Sequence, residues 1–268
     1  MSEKCHSVLI GGHGRSAPDA LTLSHDFEDG ESIPEHLHPE DQLVFASEGV
    51  MTVRTAEGTW VVPPLRAVWM PAGVAHSIAI AGPVSMRTIY FRAGMIRKPG
   101  RRCAVVNVSP LLRELILHAC SIHRLSKSVR SQRRVLEMIR DQLEVAQSLG
   151  LQLPYPSDPR AKKVVECLLA DPGNQATLHQ LCARCGGSKR TIQRAFIAET
   201  SLSFDKWRRQ LRLLHALRFL ASGRKVTAAA MDAGYDSPSA FISMFKRHFG
   251  TTPTRYFQNN QPVTPARR

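Results

Sequence analysis

The stretch that most constrains the fold of this chain covers residues 229–257, close to the end of its 268 residues. Helix-favouring alanines precede Gly234, and glycine readily adopts the left-handed conformation that ends a helix. Ser237 followed by Pro238 is typical of an N-cap residue with proline in the first turn of a new helix. The stretch therefore predicts a helix, a tight turn and a second helix.

The second of these helices has two different sides. Its apolar side recurs at a spacing of three and four residues and contains Phe241, Met244, Phe245 and Phe249. The other side is small and polar and then basic, with Ser239, Ala240, Ser243, Lys246 and Arg247. A slim face at the start of a helix and cations near its end suit insertion into the major groove of DNA. An ordinary helical hairpin is the alternative interpretation of these features.

Charge is unevenly distributed along the chain, whose formal net charge is +14. Residues 1–96 carry 6 Lys and Arg against 11 Asp and Glu, a charge of −5, whereas residues 157–268 carry 19 against 7, a charge of +12. The length is sufficient for two domains that each bury a core. We expect two domains, of which the second binds a polyanion, because each neutralised phosphate releases counterions. A merely soluble basic surface is the alternative.

The sequence contains no signal for membrane insertion or export. No apolar run approaches the roughly 20 residues of a membrane helix, and the first 15 residues lack the apolar core of a signal peptide. We therefore expect a cytoplasmic protein without a membrane partner. Its six cysteines are too scattered for a secreted disulfide framework; they are Cys5, Cys103, Cys120, Cys167, Cys182 and Cys185. The last two form a CxxC pair without a second pair of zinc ligands, and we interpret them as helix and turn residues.

Short strands separated by turns are predicted over residues 20–92, which favours a sandwich or a barrel. The candidate strands are residues 51–55, 59–62, 67–70, 77–80 and 86–91. The predicted breaks are residues 57–58, 63–64, 71–73 and 82–83, which contain glycine or proline.

Two histidine motifs lie in this region. The first reads G-x5-H-L-H-x3-Q-x6-G over residues 30–49, and the second reads P-A-G-V-A-H over residues 71–76. Histidines at positions i and i+2 of a strand share a face. The motifs resemble those of the cupin superfamily, G-x5-HxH-x3-E-x6-G and PxGxxH. This resemblance implies an all-β, cupin-like sensor barrel over residues 1–108.

The departures from the cupin pattern concern metal binding. Gln42 stands where the metal-binding cupins have glutamate, and Leu65 and Ile80 stand where the second motif has glycine and asparagine. We therefore expect no cofactor and no catalytic residue, although three histidines alone can bind a metal. Any metal ligands would be His36, His38 and His76. These histidines and Gln42 are instead the candidate lining of a small-molecule effector pocket, and histidines satisfied within the core are the alternative.

A helical pattern follows the predicted barrel over residues 109–149. Its first apolar stripe is Leu111, Leu112, Leu115, Ile116, Ala119 and Ile122, and its second is Val135, Leu136, Ile139, Leu143 and Ala146. Such stripes need a partner, and we hypothesise that this coupling region forms a homodimer. Prolines and the lack of a helical period predict a semi-rigid linker over residues 150–157.

An all-α domain is predicted over residues 158–258, before a tail at residues 259–268. Its first helix-turn-helix unit covers residues 178–199, with Ser188 as the N-cap of the second helix, and its second unit covers residues 226–249. A long helix over residues 203–221 separates them. These segments, above all SKRTIQRAF from residue 188 and AGYDSPSAFISMFKRHFGTTPTRYF from residue 233, resemble the DNA-binding domain of the AraC/XylS family of bacterial transcription regulators. A cupin-like sensor preceding such a domain is also a known arrangement in that family.

The family resemblance implies that both units insert a helix into adjacent turns of the major groove. By motif position the base-contacting residues are Arg190, Gln193, Arg194, Ser239, Ala240 and Ser243. The candidate phosphate contacts are Ser188, Lys189, Lys246 and Arg247. Arginine and glutamine can form paired hydrogen bonds with guanine and adenine, whereas the serines and the alanine are short. We therefore expect the first unit to supply most of the base recognition.

The sequence predicts a DNA-binding transcription regulator, and not an enzyme, controlled by an effector in the barrel. Its expected partners are double-stranded promoter or operator DNA, a small molecule and a second copy of the chain, with RNA polymerase as a further candidate. A metal-dependent cupin enzyme is the first alternative. The second is a ligand-independent DNA-binding protein whose barrel serves only for dimerisation.

Overall fold

The computed structural model describes residues 18–97, 102–146, 148–149 and 151–258. Cys5, Gly150 and the predicted tail at residues 259–268 lie outside the described residues. The described residues divide into two compact units, the first mainly within residues 18–55 and 60–152 and the second mainly within residues 153–258. Among the described residues, no helix is both long and apolar enough to cross a membrane.

The first unit is rich in β-structure, as the sequence predicts. Its strands are β1 (Ala20–Phe27), β2 (Ser32–His36), β3 (Asp41–Thr55), β4 (Gly58–Val62), β5 (Arg66–Met70), β6 (His76–Phe91), β7 (Ala104–Asn107), β8 (Arg124–Leu125) and β9 (Ser148–Leu149). The sheet order is β8-β1-β6-β3-β5-β7-β9, and β2 adds to the edge of β6. The long strands β3 and β6 pair antiparallel along most of their length, so they form the centre of the unit.

The predicted break at residues 82–83 is wrong. The candidate strands 77–80 and 86–91 both belong to β6, which continues through a shift in its register with β3. Gly49 and Gly82 adopt φ values of 75° and 70° at this irregularity, and Gly82 donates its N–H to Asp29 Oδ1 at 2.7 Å. The turn residues therefore form a bulge that bends a continuous strand. The candidate list also lacks β1, β2 and the first half of β3.

Two helices cover the sheet of the first unit. They are α1 (Pro110–Ile122) and α2 (Arg130–Val145). Leu112, Ile116 and Ala119 from α1 join a buried core with Leu136 and Ile139 from α2. Much of each predicted apolar stripe is therefore buried within the same chain. Leu111 is the exception in the first stripe and is exposed, because consecutive helical residues point about 100° apart.

Part of the segment predicted as a linker is a strand. Residues 152–154 form β10 (Gln152–Pro154). On its first-unit side, Val61 donates its N–H to Leu151 O at 3.2 Å, and on its second-unit side Tyr155 donates its N–H to Glu57 O at 3.0 Å. The backbone hydrogen-bonding groups of this segment are thus paired in part with protein, which restricts its conformation.

The second unit is helical. Its helices are α3 (Pro159–Ala170), α4 (Leu178–Cys185), α5 (Lys189–Thr200), α6 (Phe204–Ala221), α7 (Val226–Asp232), α8 (Pro238–Phe249) and α9 (Pro253–Gln258). The predicted caps are confirmed: Ser188 and Ser237 accept hydrogen bonds from Thr191 N and Ala240 N at the starts of α5 and α8. Gly234 has φ = 77° directly after α7, as the left-handed turn requires.

Candidate functional site

The second helix of the first helix-turn-helix unit, α5, separates its buried and exposed residues sharply. Ile192, Ala195 and Phe196 are buried in the second unit. The long side chains of Arg190, Gln193 and Arg194 are exposed, together with Ser188 and Lys189 at the start of the helix. Because positions i, i+3 and i+4 lie on one face of a helix, Arg190, Gln193 and Arg194 form a single polar and basic surface. That surface can form paired hydrogen bonds with base edges, in which each arginine donates both bonds and Gln193 donates one and accepts the other.

The corresponding helix of the second unit, α8, exposes shorter side chains. Phe241 and Phe245 are buried, whereas Ser239, Ala240 and Ser243 are exposed. Lys246 and Arg247 are also exposed, in the last turn of the helix. Cations at that end are stabilised by the helix dipole and remain available for an anion. The face as a whole has room for close approach but few groups that can distinguish one base from another.

Helix α6 connects the two helix-turn-helix units through its buried apolar side and two arginines. Trp207, Leu211, Leu214 and Leu217 are buried along it. Arg208 donates to Ala176 O at 2.7 Å and also to Asn174 O, and Arg212 donates to Asn174 O at 2.9 Å. These arginines therefore tie the segment that leads into α4 to the central helix. None of these contacts could be read from periodicity, since they join residues more than 30 positions apart.

The three histidines of the sequence motifs meet in the first unit. His36 on β2 pairs in register with His76 on β6, which places their rings 4.3 Å apart between centroids. The ring of His38 lies 5.2 Å from that of His76. One potential ligand atom from each residue lies within 4.8 Å of the others. The sequence motifs thus predicted a true cluster, which we call the histidine cluster (His36, His38 and His76).

Each ring of the histidine cluster has one nitrogen beside a backbone carbonyl. The Nδ1 atoms of His36, His38 and His76 lie 2.9, 2.9 and 2.8 Å from the carbonyl oxygens of Pro34, Glu40 and Val74. Since a carbonyl oxygen can only accept, each Nδ1 carries a hydrogen. A neutral ring with that tautomer has its lone pair on Nε2. In that state Nε2 of His36 and of His76 can serve as a hydrogen-bond acceptor or metal ligand, whereas Nε2 of His38 faces the amide oxygen of Gln42, which is itself an acceptor.

His76 and His38 differ in what their Nε2 atoms contact. His76 is fully buried, and its Nε2 has no hydrogen-bond partner among the described residues. Burial lowers the pKa of His76 to about 4, so this ring is neutral at physiological pH. His38 Nε2 instead lies 3.1 Å from Gln42 Oε1, and Gln42 Nε2 donates to Thr88 Oγ1 at 3.0 Å. An unpartnered buried acceptor beside this polar chain is an unsatisfied binding position.

The histidine cluster offers three nitrogen ligands to a divalent metal ion. Three imidazoles whose Nδ1 atoms lie beside backbone carbonyls match the way histidine binds zinc through Nε2. Gln42 supplies no negative charge, however, and a metal on His38 Nε2 would have to replace the contact with Gln42 Oε1. The cluster therefore fits a metal with three nitrogen ligands and lacks the carboxylate that strengthens such sites in cupins.

A cavity of about 570 Å³ lies in the same unit and was not predicted from the sequence. Its lining includes Asp41, Val74 and Arg97. The buried carboxylate of Asp41 accepts the N–H groups of Ala72 and Gly94 at 2.9 and 2.8 Å. Val74 also accepts from His76, so one residue joins the cavity wall to the histidine cluster. The position of Asp41, directly before Gln42 in the first motif, was the signal that could have indicated it.

Comparison with known families and proteins agrees with both units. Residues 20–153 match the family model of the AraC-like ligand binding domain, and residues 181–259 match that of a helix-turn-helix domain. The HTH-type transcriptional regulator NimR of Escherichia coli is 34% identical over 241 residues, which cover 90% of this chain and 88% of NimR.

Other similar proteins match a smaller part of the chain. The HTH-type transcriptional regulator RipA of Corynebacterium glutamicum is 32% identical over 103 residues, or 38% of this chain and 31% of RipA. The DNA-binding domain of the global transcriptional factor AdpA, solved in complex with a target DNA, is 32% identical with a TM-score of 0.37, and the match covers 41% of this chain and 100% of that domain. From the two family models and the similarity to NimR, the chain belongs to the AraC family of transcriptional regulators, with an AraC-like ligand-binding domain ahead of a helix-turn-helix DNA-binding domain.

Proposed function

We propose that this regulator reads its operator asymmetrically, with helix α5 as the principal reader of bases. The observation that carries the proposal is the exposure of Arg190, Gln193 and Arg194 on one face of α5. Each can bond a base edge through two atoms, and one such paired contact discriminates against a wrong base by about 1–3 kcal/mol.

Helix α8 positions the domain in the next turn of the major groove, ~34 Å along B-form DNA. Ser239, Ala240 and Ser243 approach the bases closely but offer at most single hydrogen bonds through the serine hydroxyls. Lys246 and Arg247 bind phosphates, as do Ser188 and Lys189 at the start of α5. Phosphate contacts fix the register of a protein on DNA but carry no direct sequence information. Helix α5 therefore supplies most of the base recognition, and helix α8 mainly fixes the position of the domain on the DNA.

In the first unit, the histidine cluster and Gln42 form part of the effector site. The unpartnered Nε2 of His76 and the Nδ1-protonated tautomers support a ligand that donates hydrogen bonds. A ligand alters transcription only through different affinities for two arrangements of the protein. The cluster joins strands β2 and β6. A ligand bound there would have different affinities for two arrangements that differ in how these strands are placed.

The regulator acts as a homodimer through the coupling region. Met138 and Val145 on α2 are 43% and 76% exposed, outside the predicted stripe, whose Leu136, Ile139 and Leu143 are buried. They are seven positions apart and therefore lie on one face of the helix. Leu111 on α1 is a further exposed apolar residue. Covering these side chains by a second copy removes apolar surface from water. The bound dimer could act by recruiting RNA polymerase or by excluding it, and both activation and repression are compatible with this arrangement.

Thermal-shift screening of the full-length protein with a library of metabolites and drugs tests the effector site. We expect at least one compound to raise the Tm of the wild type, since a ligand at 100 times its Kd stabilises by about 2.7 kcal/mol. The same compound should not shift His76→Gln, while His118→Gln, which changes an exposed residue, should respond like the wild type. Equal shifts in all three proteins would place the ligand elsewhere.

Zinc chloride alone, and EDTA alone, form the second arm of that screen. We expect neither to change the Tm of protein purified without a histidine tag. The reason is that Gln42 Oε1 already contacts His38 Nε2, the atom that would bind the metal. A zinc-dependent shift that His76→Gln abolishes would favour the metal-binding alternative over a hydrogen-bonding effector.

A further inference from the structure

Two cysteines from different helices meet in the first helix-turn-helix region. Cys167 lies on α3 and is exposed, whereas Cys185 is the last residue of α4 and is buried. Their Sγ atoms are 3.4 Å apart. Cys182 and Cys185 form the CxxC motif of the sequence. The sulfur that contacts Cys185, however, belongs to Cys167, which lies 18 positions earlier in the chain. Tertiary packing has thus created a thiol pair that no sequence motif indicates.

The geometry of this pair suits a disulfide rather than a metal site. A disulfide has an S–S distance of about 2.05 Å, so the two sulfur atoms would have to approach by about 1.4 Å. Cys185 is the last residue of α4 and is followed by Gly186 and Gly187, whose φ values are 76° and 119°. Among the described residues, the group of three or more potential metal ligands is the histidine cluster, so the thiols do not converge with a third donor.

We propose that Cys167 and Cys185 form a peroxide-sensitive disulfide that lowers the affinity of the protein for its operator. The inference rests on the proposed role of α5 as the main reader of bases.

The exposed thiol is the first to react. The Cys167 thiolate attacks one oxygen of hydrogen peroxide, the O–O bond breaks, and after protonation the products are Cys167 sulfenic acid and water. The Cys185 sulfur then attacks the Cys167 sulfur, the S–O bond breaks, and the hydroxyl leaves as water with the thiol proton. Two thiols are oxidised to a disulfide while one peroxide is reduced to two waters. Burial raises the pKa of the Cys185 thiol to about 11, which is consistent with Cys167 as the attacking group.

The disulfide would act on DNA binding through the turn between α4 and α5. Cys185 is separated by two glycines from Ser188, the N-cap of α5. A β-carbon at Gly187 would lie 3.4 Å from Arg160 Cδ and 3.5 Å from Ile192 Cδ1, so this turn is already packed against α3 and α5. Drawing Cys185 towards α3 therefore shifts the start of α5, where Arg190 lies. Because base contacts need accurate placement, such a shift weakens recognition.

The full-length reduced protein is first used to select a duplex from a random DNA library, and that duplex becomes the probe. Wild type, Cys167→Ser and Cys182→Ser are then treated with hydrogen peroxide. Disulfides are mapped by mass spectrometry, and Kd values are measured before oxidation, after oxidation and after dithiothreitol.

We expect a Cys167–Cys185 disulfide and a Kd increase of about tenfold in wild type, reversed by dithiothreitol. Cys182→Ser should behave like wild type, and Cys167→Ser should keep its affinity after peroxide.

Several outcomes would overturn the proposal. A Cys182–Cys185 disulfide, or no disulfide in peroxide-treated wild type, would remove the assigned site. A mapped Cys167–Cys185 disulfide with unchanged Kd would remove its effect on DNA binding. Failure of the reduced protein to select any duplex would instead contradict the proposed DNA reading, and the mass spectra would still decide whether the disulfide forms.

Discussion

Gly173 and Gly234 lie so close together that neither position has room for a β-carbon. A β-carbon on Gly234 would be 2.7 Å from Gly173 O, and one on Gly173 would be 2.5 Å from Asp232 O. Gln175 reinforces the approach by donating to Gly234 O at 2.9 Å. Gly173 precedes the first helix-turn-helix unit and Gly234 forms the turn of the second. Their contact, with the arginines of α6, therefore sets how the two DNA-facing helices are placed relative to each other.

Gly234→Ala should destabilise the second unit by about 3 kcal/mol or more. The left-handed conformation costs an L-residue about 1–2 kcal/mol, and the clash with Gly173 O adds to it. Gly223→Ala is the matched control, because Gly223 has φ = 78° but nothing within 4 Å of the added carbon. Urea unfolding followed by the helical circular dichroism signal measures both. Equal losses in the two variants would mean that the close approach contributes nothing.

Arg194→Ala should weaken binding to the selected duplex by about 1–3 kcal/mol and relax discrimination at one base pair. Lys246→Ala should weaken binding evenly across sequences and reduce the slope of log K against log salt by about 0.9, as expected for one phosphate contact. Binding to a library of single-base variants at several salt concentrations separates the two effects. The asymmetric model is wrong if Ser243→Ala degrades sequence preference more than Arg194→Ala does.

The stability of the second unit should fall as the pH drops below about 6.5. Burial lowers the pKa of His215 to about 4, whereas in the unfolded chain its pKa is about 6.5. Between these two pKa values the unfolded state binds a proton that the folded state does not, so acid favours unfolding. Above pH 6.5 neither state binds this proton, and the destabilisation is absent. The two pKa values correspond to a destabilisation of about 3 kcal/mol at pH 4, which solvent screening of the part-buried ring reduces to about 2 kcal/mol. Urea unfolding at pH 7.5, 5.5 and 4.5 measures it.

His215→Gln should remove part of this pH dependence, since glutamine does not titrate. The exposed His179 provides the control, and His179→Gln should retain the wild-type dependence. Identical pH profiles for the wild type and His215→Gln would show that the buried ring near Phe219 does not contribute.

Val145→Glu should convert the proposed homodimer into a monomer at micromolar concentration, because a charge would be buried in the proposed interface. Val129→Glu changes another exposed valine, at the opposite end of α2, and should leave the dimer intact. Sedimentation velocity with and without the selected duplex measures the oligomeric state. A monomeric wild type under both conditions would contradict dimerisation through this region.

The amino-acid sequence by itself determined the elements that depend on local chemistry. Ser188 and Ser237 cap helices, Gly234 takes a left-handed turn, and the apolar period of α8 buries Phe241 and Phe245 as predicted. These features follow from backbone preferences and from the 3.6-residue period, which neighbouring residues decide. The histidine spacing also predicted a cluster, although only His36 and His76 lie on strands; β2 ends at His36, and His38 reaches the cluster from the loop that follows.

Tertiary structure alone decided the relations between distant segments. Gly82 reads as a break in the sequence, but pairing with β3 and the bond to Asp29 keep β6 continuous through it. Cys185 appeared to belong with Cys182, and packing of α3 on α4 brought it to Cys167 instead. The backbone approach of Gly173 to Gly234 was equally invisible in the sequence. Such contacts depend on how separate elements pack in three dimensions, which local preferences and periodicity do not specify.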